Sequence, residues 1–413
     1  MTRQFIHSAA NITRDTIALV LAGGRGERLR NLTHGSAKPG LPFAGKFRII
    51  DFPLSNCVNS GLRHIGVLTQ YKSNNLNFHL QRGWGHLRWE YGEYVGLLPA
   101  QQQIGDSWYK GTADAVYQNL SFLRRQGCKR VLILGGDHVY KMDYSQILTQ
   151  HNEKGADITI ASVMVPLKRA QDFGVMSTDA QGWISDFTEK PASPQPSVDD
   201  PSMAQVSMGI YVFDFEVLEA LLLEDAADPD SRHDFGYDLI PKAISTHKVQ
   251  CFTFQDNADG IQSYWKDVGS LDEYYQANMD LVSINPELNL YDENWPIYTY
   301  QEQLPGAKFV FDDHYRRGYA LDSVVSAGCI ISGARIEHSL LFSRVRVDEG
   351  SFVKASLLLP RVTVGKGCHI ERAILAEGCQ VPDNTQIGLD YEQDKKRFYL
   401  SENGIILVMP EML

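Results

Sequence analysis

Cysteine is scarce and scattered in this chain of 413 residues. The six present (Cys57, Cys128, Cys251, Cys329, Cys368 and Cys379) form no C-x-x-C pair. That spacing argues against a zinc site or a disulfide framework and for reduced thiols in a cytoplasmic protein. Long apolar runs are missing as well. No segment approaches the ~20 apolar residues that span a bilayer, so no membrane partner is expected. The N-terminal MTRQFIHSAANITRD lacks the continuous apolar core of a signal peptide. Nor is there an excess of positive charge: the net charge of −11 argues against general nucleic-acid binding and leaves room only for a local basic pocket. With 43% hydrophobic and 22% charged residues, the composition is globular, and the length allows more than one domain.

The chain is organised around Thr16 to Pro39, which reads TIALVLA, GGRGERL and RNLTHGSAKP. Ile17 to Ala22 is short, apolar and rich in β-branched residues, the pattern of a strand buried on both faces. Gly23, Gly24 and Gly26 follow, and a helix-compatible segment begins near Glu27. A strand, a glycine turn and a helix start form a cradle for phosphate, because backbone N–H groups can approach an anion and a helix N-terminus adds positive potential. Arg25, Arg28 and Lys38 surround that turn with cations. The turn lacks the third glycine of the dinucleotide fingerprint and the Gly-Lys-Ser/Thr of a Walker loop. On its own it reads as an ordinary tight strand-to-helix connection. The arginines and Lys38-Pro39 favour phosphate.

The first two thirds alternate strands and helices. Ile65–Gln70, Lys129–Leu134 and Ile158–Val165 read as strands, and Ala113–Arg125 as a helix with Val116, Leu120 and Leu123 on one stripe and Gly127 as its stop. Such alternation implies an α/β fold with a mostly parallel sheet whose strand ends line a ligand crevice. Phe173–Met176 and Trp183–Thr188 read as a hairpin, and PASPQPSVDDP after Lys190 as a loop. Val206–Phe213 and Gln262–Val268 read as further strands, and Ser270 with Glu273 as a capping box. The pattern fails around Leu288–Gly306, an extended linker. Beyond it, Val324, Ile330, Ile336 and Phe342 fall six residues apart, as do Phe352, Leu358, Val364 and Ile370, and then Val381 and Ile387. Apolar residues at this period with interspersed glycines are the hexapeptide signature of a β-helix. The breaks at 342–352 and 370–381 read as loops or slips in the coil. A β-sandwich is the plainer alternative.

Chemistry is concentrated at strand ends. Asp137, in Gly135-Gly136-Asp137-His138, reads either as a turn or cap aspartate or as a Mg²⁺ ligand beside a polyphosphate. Asp267, in YWKDVG, ends another strand and could complete the metal pair. Lys190, in Glu189-Lys190-Pro191, reads either as a solvated loop lysine or as the point cation that a sugar phosphate needs.

These motifs resemble the sugar-nucleotide pyrophosphorylases. Leu21 to Leu29 matches their Leu-Ala-Gly-Gly-x-Gly-x-Arg-Leu run, followed by Leu32-Thr33 and Lys38-Pro39. Lys46 to Cys57, KFRIIDFPLSNC, narrows the resemblance to the bacterial glucose-1-phosphate adenylyltransferases, and it continues through nearly the whole chain. The resemblance implies a Rossmann-like nucleotidyltransferase domain over 1–287, a linker over 288–310 and a left-handed parallel β-helix over 311–413 that serves assembly and regulation. It implies transfer of the adenylyl group of ATP to α-D-glucose 1-phosphate, giving ADP-glucose for glycogen synthesis and pyrophosphate. It assigns metal binding to Asp137 and Asp267, and charge neutralisation to Arg28, Lys38 and Lys190. Leu21, Ala22, Gly23, Gly24 and Arg25, with Gly111 and Thr112, fall to the ATP side. So does Gln101, in LLPAQQ, although Gln102 is an equal choice for the adenine edge. Tyr109, Gly174, Glu189, Lys190 and Ser207 fall to the sugar phosphate.

Members of the resembled family are allosteric homotetramers that respond to glycolytic intermediates and often to AMP or phosphate. Arg48 and Arg125 match their regulatory residues. Gly35 and Pro42 replace a regulatory lysine and histidine, and Glu377 and Pro410 stand where arginines are usual. A charge reversal at Glu377 weakens a phosphate site, so a reduced or altered response to fructose 1,6-bisphosphate and AMP is expected. Competing readings are a pyrophosphorylase for UTP, dTTP or GTP, a non-catalytic regulatory subunit, and a bifunctional enzyme with an acetyltransferase coil. Retention of Asp137, Lys190 and Arg28 speaks against the second, and the short coil against the third.

Overall fold

The computed structural model describes residues 12–24, 26–85, 87–100, 108–255, 262–313 and 316–413. The first strand, β1 (Thr16–Ala22), lies inside the main sheet, with neighbours on both edges. On one side it pairs in parallel with β2 (His64–Thr69), and β2 in turn with β3 (Tyr94–Pro99). On its other side lies β4 (Arg130–Gly135), again parallel. Ile17 to Val20 are almost wholly buried, because both faces of this strand meet apolar layers. That is why TIALVLA shows no alternation.

Beyond β4 the sheet turns antiparallel. β5 (His138–Tyr140) leaves the main sheet directly after β4. The strands β6 (Ile158–Pro166), β7 (Gly174–Thr178) and β8 (Ile184–Glu189) lead to the long β9 (Met203–Asp214). β9 runs antiparallel to β4, β6 and β7, and β7 and β8 form the expected hairpin. The register of β9 against β6 breaks between Ser207 and Tyr211, where Gly209 takes φ +68°. β10 (Val249–Thr253) pairs in parallel with β6. Finally β11 (Trp265–Asp267) runs antiparallel to β5, with Asp267 opposite His138.

Two helical expectations need correction. Glu27–Thr33 is a 3₁₀ segment, and Arg30 inside it has φ 54°, ψ −135°, which no helix tolerates. The Thr33 hydroxyl bonds the carbonyls of Gly26 (3.2 Å) and Arg30 (3.0 Å), a local alternative to helical bonding. Among the described residues no α-helix N-terminus therefore backs the glycine turn. The helix expected over Ala113–Arg125 is two, Thr112–Tyr117 and Leu120–Gln126. It breaks where Asn119 Nδ2 bonds the Ala115 carbonyl (2.8 Å) and Tyr109 Oη (3.0 Å). Gly127, in the left-handed region, stops the second one as expected. The capping box at Ser270 and Glu273 is complete.

The stretch 288–306 has no helix or strand, yet it is strapped to the helix Asp51–Asn59. Trp295 Nε1 donates to Asn56 Oδ1 (2.9 Å), Asn59 Nδ2 to the Pro296 carbonyl (2.9 Å) and Thr299 Oγ1 to Asp51 Oδ2 (2.7 Å). Asp51 is fully buried, and its other oxygen meets His79 Nε2 (2.7 Å) and Trp84 Nε1 (2.9 Å). A buried carboxylate with this many partners fixes the strap in place.

The C-terminal third coils into three parallel sheets, the first beginning at Lys308–Val310 beside Ile330–Ser332. Between Tyr319 and Ile387 paired strand positions lie 16 or 17 residues apart: Val324 lies beside Leu340, and Leu340 beside Leu357. A strict six-residue period would need 18, so the inward phase slips. Ile331 and Val353 are fully buried, whereas their neighbours Ile330 and Phe352 are half-buried. The intervals 342–352 and 370–381 are thus slips and not loops, since Arg346–Val347 and Ala373–Leu375 within them are regular strands. One outer row, Leu340, Leu357, Ile374 and Leu407, joins Phe43, Phe52, Leu281 and Leu288 in a shared core. Burying this row fixes the coil against the α/β region.

Candidate active site

A cleft opens where the parallel strands end. Leu21, Ala22, Gly23 and Gly24 leave β1 at its rim. Behind them the Gly136 N–H donates to the Leu21 carbonyl (2.9 Å). A Cβ on Gly136 would lie 2.9 Å from that same oxygen, so only glycine allows the approach. Asp137 follows immediately. The β5–β11 pairing brings Asp267 beside it, although 130 positions separate the two in sequence.

Both carboxylates converge on one ammonium. Lys38 Nζ lies 3.0 Å from Asp137 Oδ2 and 2.6 Å from Asp267 Oδ1, with the lysine side chain only 6% exposed. Burial opposes the charge on Lys38, but Asp137 and Asp267 outweigh it and hold its pKa above the ordinary lysine value. Burial likewise disfavours ionised Asp137, and Lys38, helped by His138, overcomes this and keeps its carboxyl below the usual range. His138 Nε2 sits 3.6 Å from Asp137 Oδ1 and 4.0 Å from Asp267 Oδ1. Ligand atoms of Asp137, His138 and Asp267 all lie within 4.8 Å of one another. Two carboxylates already gripping a cation suit a hard divalent ion, whose preferred donors are oxygens. Arg28 Nη2 stands 3.9 Å from Asp267 Oδ2; its side chain is 59% exposed, so this pair is weak.

The facing wall carries Glu189 and Lys190. Lys190 holds φ +47°, and its Nζ is 3.5 Å from Glu189 Oε1, with half of the side chain exposed to the cleft. Two glycines clasp the Glu189 carboxylate: a Cβ on Gly174 would fall 2.7 Å from Oε2, and one on Gly236 2.4 Å from it. Burial pushes the Glu189 carboxyl up, and Asp234 adds to this against the pull of Lys190. Ser207 Oγ accepts from the Gly209 N–H (3.1 Å) and donates to Tyr211 Oη (3.4 Å) at the register break of β9.

Tyr109, Gly111 and Thr112 form the third side. Tyr109 Oη donates to the Leu98 carbonyl (3.4 Å), and Gln70 Nε2 donates to the Tyr109 carbonyl (3.3 Å). Thr112 Oγ1 donates to Asp234 Oδ2 (2.9 Å) and accepts from the Phe235 N–H (3.1 Å). Asp234 also caps the turn at Gly236 and Tyr237. The segment Asp234-Phe235-Gly236, together with Gln70 and His138, lines the cleft and was missed from sequence. An aspartate two places before a glycine was the available signal, and it reads equally as a cap.

The structure thus gathers Leu21 to Gly24, Arg28, Lys38, Tyr109, Gly111, Thr112, Asp137, Gly174, Glu189, Lys190, Ser207 and Asp267 around one cleft. Arg25, Gln101 and Gln102 lie outside the described residues. Arg48 and Arg125 are not at this cleft. Arg125 is exposed in the last turn of its helix. Arg48 lines a separate pocket between the α/β region and the coil, with Pro42, Arg344, Arg361 and Glu377. Two of its arginines have carboxylate partners: Arg344 Nε meets Glu302 Oε2 at 2.8 Å, and Arg361 Nη1 meets Glu377 Oε1 at 3.9 Å. Gly35 and Pro410 are exposed, and nothing lies within 4 Å of where a Gly35 Cβ would be.

Residues 17–283 match the family model described as nucleotidyl transferase, and residues 305–408 match the one described as GlmU-like, C-terminal hexapeptide. The second is the repeat of left-handed β-helices. Curated proteins named glucose-1-phosphate adenylyltransferase resemble the chain over nearly its full length. That of Methylococcus capsulatus is 55% identical over 404 residues, covering 98% of this chain and 95% of its own. That of Nitrosococcus oceani is 56% identical over 405 residues, with 98% and 96% covered. That of Alteromonas mediterranea is 52% identical over 415 residues, with 100% and 96% covered.

Proposed function

The chain belongs to the glucose-1-phosphate adenylyltransferase family of nucleotidyl transferases, and on that premise we propose that it converts ATP and α-D-glucose 1-phosphate to ADP-glucose and pyrophosphate. The observation that carries the reading is the convergence of Asp137 and Asp267 on one cation, between the glycine turn and the Glu189–Lys190 wall. An oxygen of the sugar phosphate attacks the α-phosphorus of ATP. The bond from that phosphorus to the oxygen bridging the β-phosphate breaks, and pyrophosphate leaves. The nucleophile is already an anion, so no general base is required. Positioning and charge neutralisation supply the rate.

Asp137 and Asp267 would hold Mg²⁺, with His138 close by; the bound ion would neutralise charge on the triphosphate. Leu21 to Gly24, Arg25, Gly111, Thr112 and Gln101 take the ATP side of the proposal. Tyr109, Gly174, Glu189, Lys190 and Ser207 take the sugar phosphate, Lys190 as its point cation and Glu189 as acceptor for sugar hydroxyls. Arg28 is exposed at the rim, where it can meet the phosphates.

The rest of the proposal concerns organisation. Residues 1–287 form the catalytic domain, 288–310 the linker and 311–413 a coil domain for assembly into a homotetramer and for regulation by a small molecule. A cytoplasmic enzyme fits the scattered, unpaired cysteines. Among the described residues no helix is long and apolar enough to cross a membrane. Glu302 and Glu377, paired with Arg344 and Arg361, support a weakened response at Arg48 to phosphorylated effectors. The test is pyrophosphate release with each nucleoside triphosphate in turn. ATP is expected to be preferred, and preference for UTP would overturn the substrate reading. Asp137→Ala is expected to abolish turnover with the fold intact, and near-normal activity would remove Asp137 from the metal role.

A further inference from the structure

Lys38 holds one oxygen of each carboxylate that a divalent cation would use. Its ammonium touches Asp137 Oδ2 and Asp267 Oδ1, and its side chain is among the most buried polar groups of the cleft. The backbone beneath it is pinned: Lys38–Gly40 is a 3₁₀ turn closed by the Leu41 N–H on the Lys38 carbonyl (3.0 Å). Only the side-chain torsions remain free to move the ammonium. The stem of Lys38 also backs the glycine turn, since a Cβ on Gly26 would lie 3.1 Å from the Lys38 Cβ. The turn proposed to receive phosphates and the lysine that occupies the carboxylates therefore lie side by side, with no room for a side chain between them.

We propose that Lys38 is the internal counter-ion of the metal site: it pairs Asp137 and Asp267 until a divalent cation takes them, and its ammonium then turns to the nucleotide phosphates. The inference rests on Asp137 and Asp267 being the metal pair. Its physical basis is that a buried ammonium and two partly buried carboxylates are costly to leave unpaired, and that two cations do not share the same oxygens at close range. Lys38 yields the carboxylates readily only when phosphates are there to accept its charge. Metal and nucleotide binding consequently favour each other, and linkage makes the effect reciprocal. This gives Lys38 a role in ordering the site before any bond changes, separate from its contribution during transfer.

The experiment measures Mn²⁺ binding to the intact protein by electron paramagnetic resonance, without nucleotide, for the wild type, Lys38→Met and Asp137→Asn. Lys38→Met is expected to bind Mn²⁺ about tenfold tighter than wild type, within the range of such couplings. Asp137→Asn is expected to lose the binding. Equal or weaker binding by Lys38→Met overturns this inference alone. Absence of any Asp137-dependent binding overturns it together with the metal reading beneath it. A second measurement uses the wild type, in case Lys38→Met fails to fold. Amine labelling of Lys38, followed by peptide mass spectrometry, is expected to speed up about tenfold at saturating Mn²⁺ if the ammonium is released. An unchanged or slower rate overturns the proposal.

Discussion

Gly111→Ala tests whether the third wall of the cleft is set by backbone packing. A Cβ on Gly111 would meet the His233 carbonyl oxygen at 2.2 Å, the Arg232 carbonyl oxygen at 2.6 Å and the His233 carbonyl carbon at 2.8 Å. All three are backbone atoms, so no side-chain rotation relieves the contact. The backbone of Gly111, φ −158° and ψ −175°, is extended and open to any residue, so space alone makes the demand. Ordinary clearance requires the segment at His233, or the start of helix Thr112–Tyr117, to move by about 1 Å. The His233 carbonyl also accepts from the Ala113 N–H (2.9 Å), and His233 is itself anchored by Nδ1 on the buried Asp225 (2.8 Å). Overpacking of this kind costs about 1–3 kcal/mol, and losing the Ala113 bond about 1 kcal/mol more. The same displacement carries Thr112 and Asp234 with it, and a shift of ~1 Å in positioning groups lowers rate by ~10²-fold. Steady-state kinetics should therefore show kcat/KM falling by about two orders of magnitude for both substrates, with a lowered unfolding midpoint. A kcat/KM within about threefold of wild type, in a protein of unchanged stability, would refute the packing argument.

Three further expectations concern single groups. Lys190→Ala should raise KM for glucose 1-phosphate far more than KM for ATP, and an equal effect on both would mark a structural lysine. Because burial and Asp234 raise the Glu189 pKa, Glu189 takes up a proton at a pH where an ordinary glutamate, pKa about 4.3, is still ionised. If its ionised form accepts the sugar hydroxyls, kcat/KM for glucose 1-phosphate should fall on acidification beginning above that ordinary range, and Glu189→Gln should lack this limb. An acid limb retained in Glu189→Gln would assign it elsewhere. Fructose 1,6-bisphosphate should activate weakly because Glu302 pairs closely with Arg344 and Glu377 adds negative charge beside Arg361; strong activation of the purified enzyme would contradict this.

Much of the site and the fold class was legible because the relevant signals are local. A doubly buried strand, a glycine turn, a capping box and a six-residue apolar rhythm are each written within a few consecutive positions. TIALVLA, Ser270 with Glu273, and the coil residues Ile336, Leu358 and Ile370 are where the pattern put them. Local signals misled where side chains compete with the backbone. Thr33 and Asn119 divert bonds that a helix would use, so one expected helix start is a 3₁₀ turn and one expected helix is two. In the coil, the 17-residue step from Ile336 turns Val353 inward, one position past Phe352, where the six-residue series had restarted.

What the sequence determined by itself was therefore the kind of chemistry: cations and glycines for phosphate, strand-end carboxylates for a metal, and a coil appended to an α/β sheet. What only the tertiary structure decided was which of these groups meet. Asp267 reaches Asp137 through an antiparallel pairing across 130 positions, Lys38 lands between them, and Asp234 closes on Thr112 and Glu189 from a distant turn. The reason is physical. Spacing along a chain fixes periodicity and turns, whereas the partner of a buried charge is fixed by which surfaces the core brings into contact.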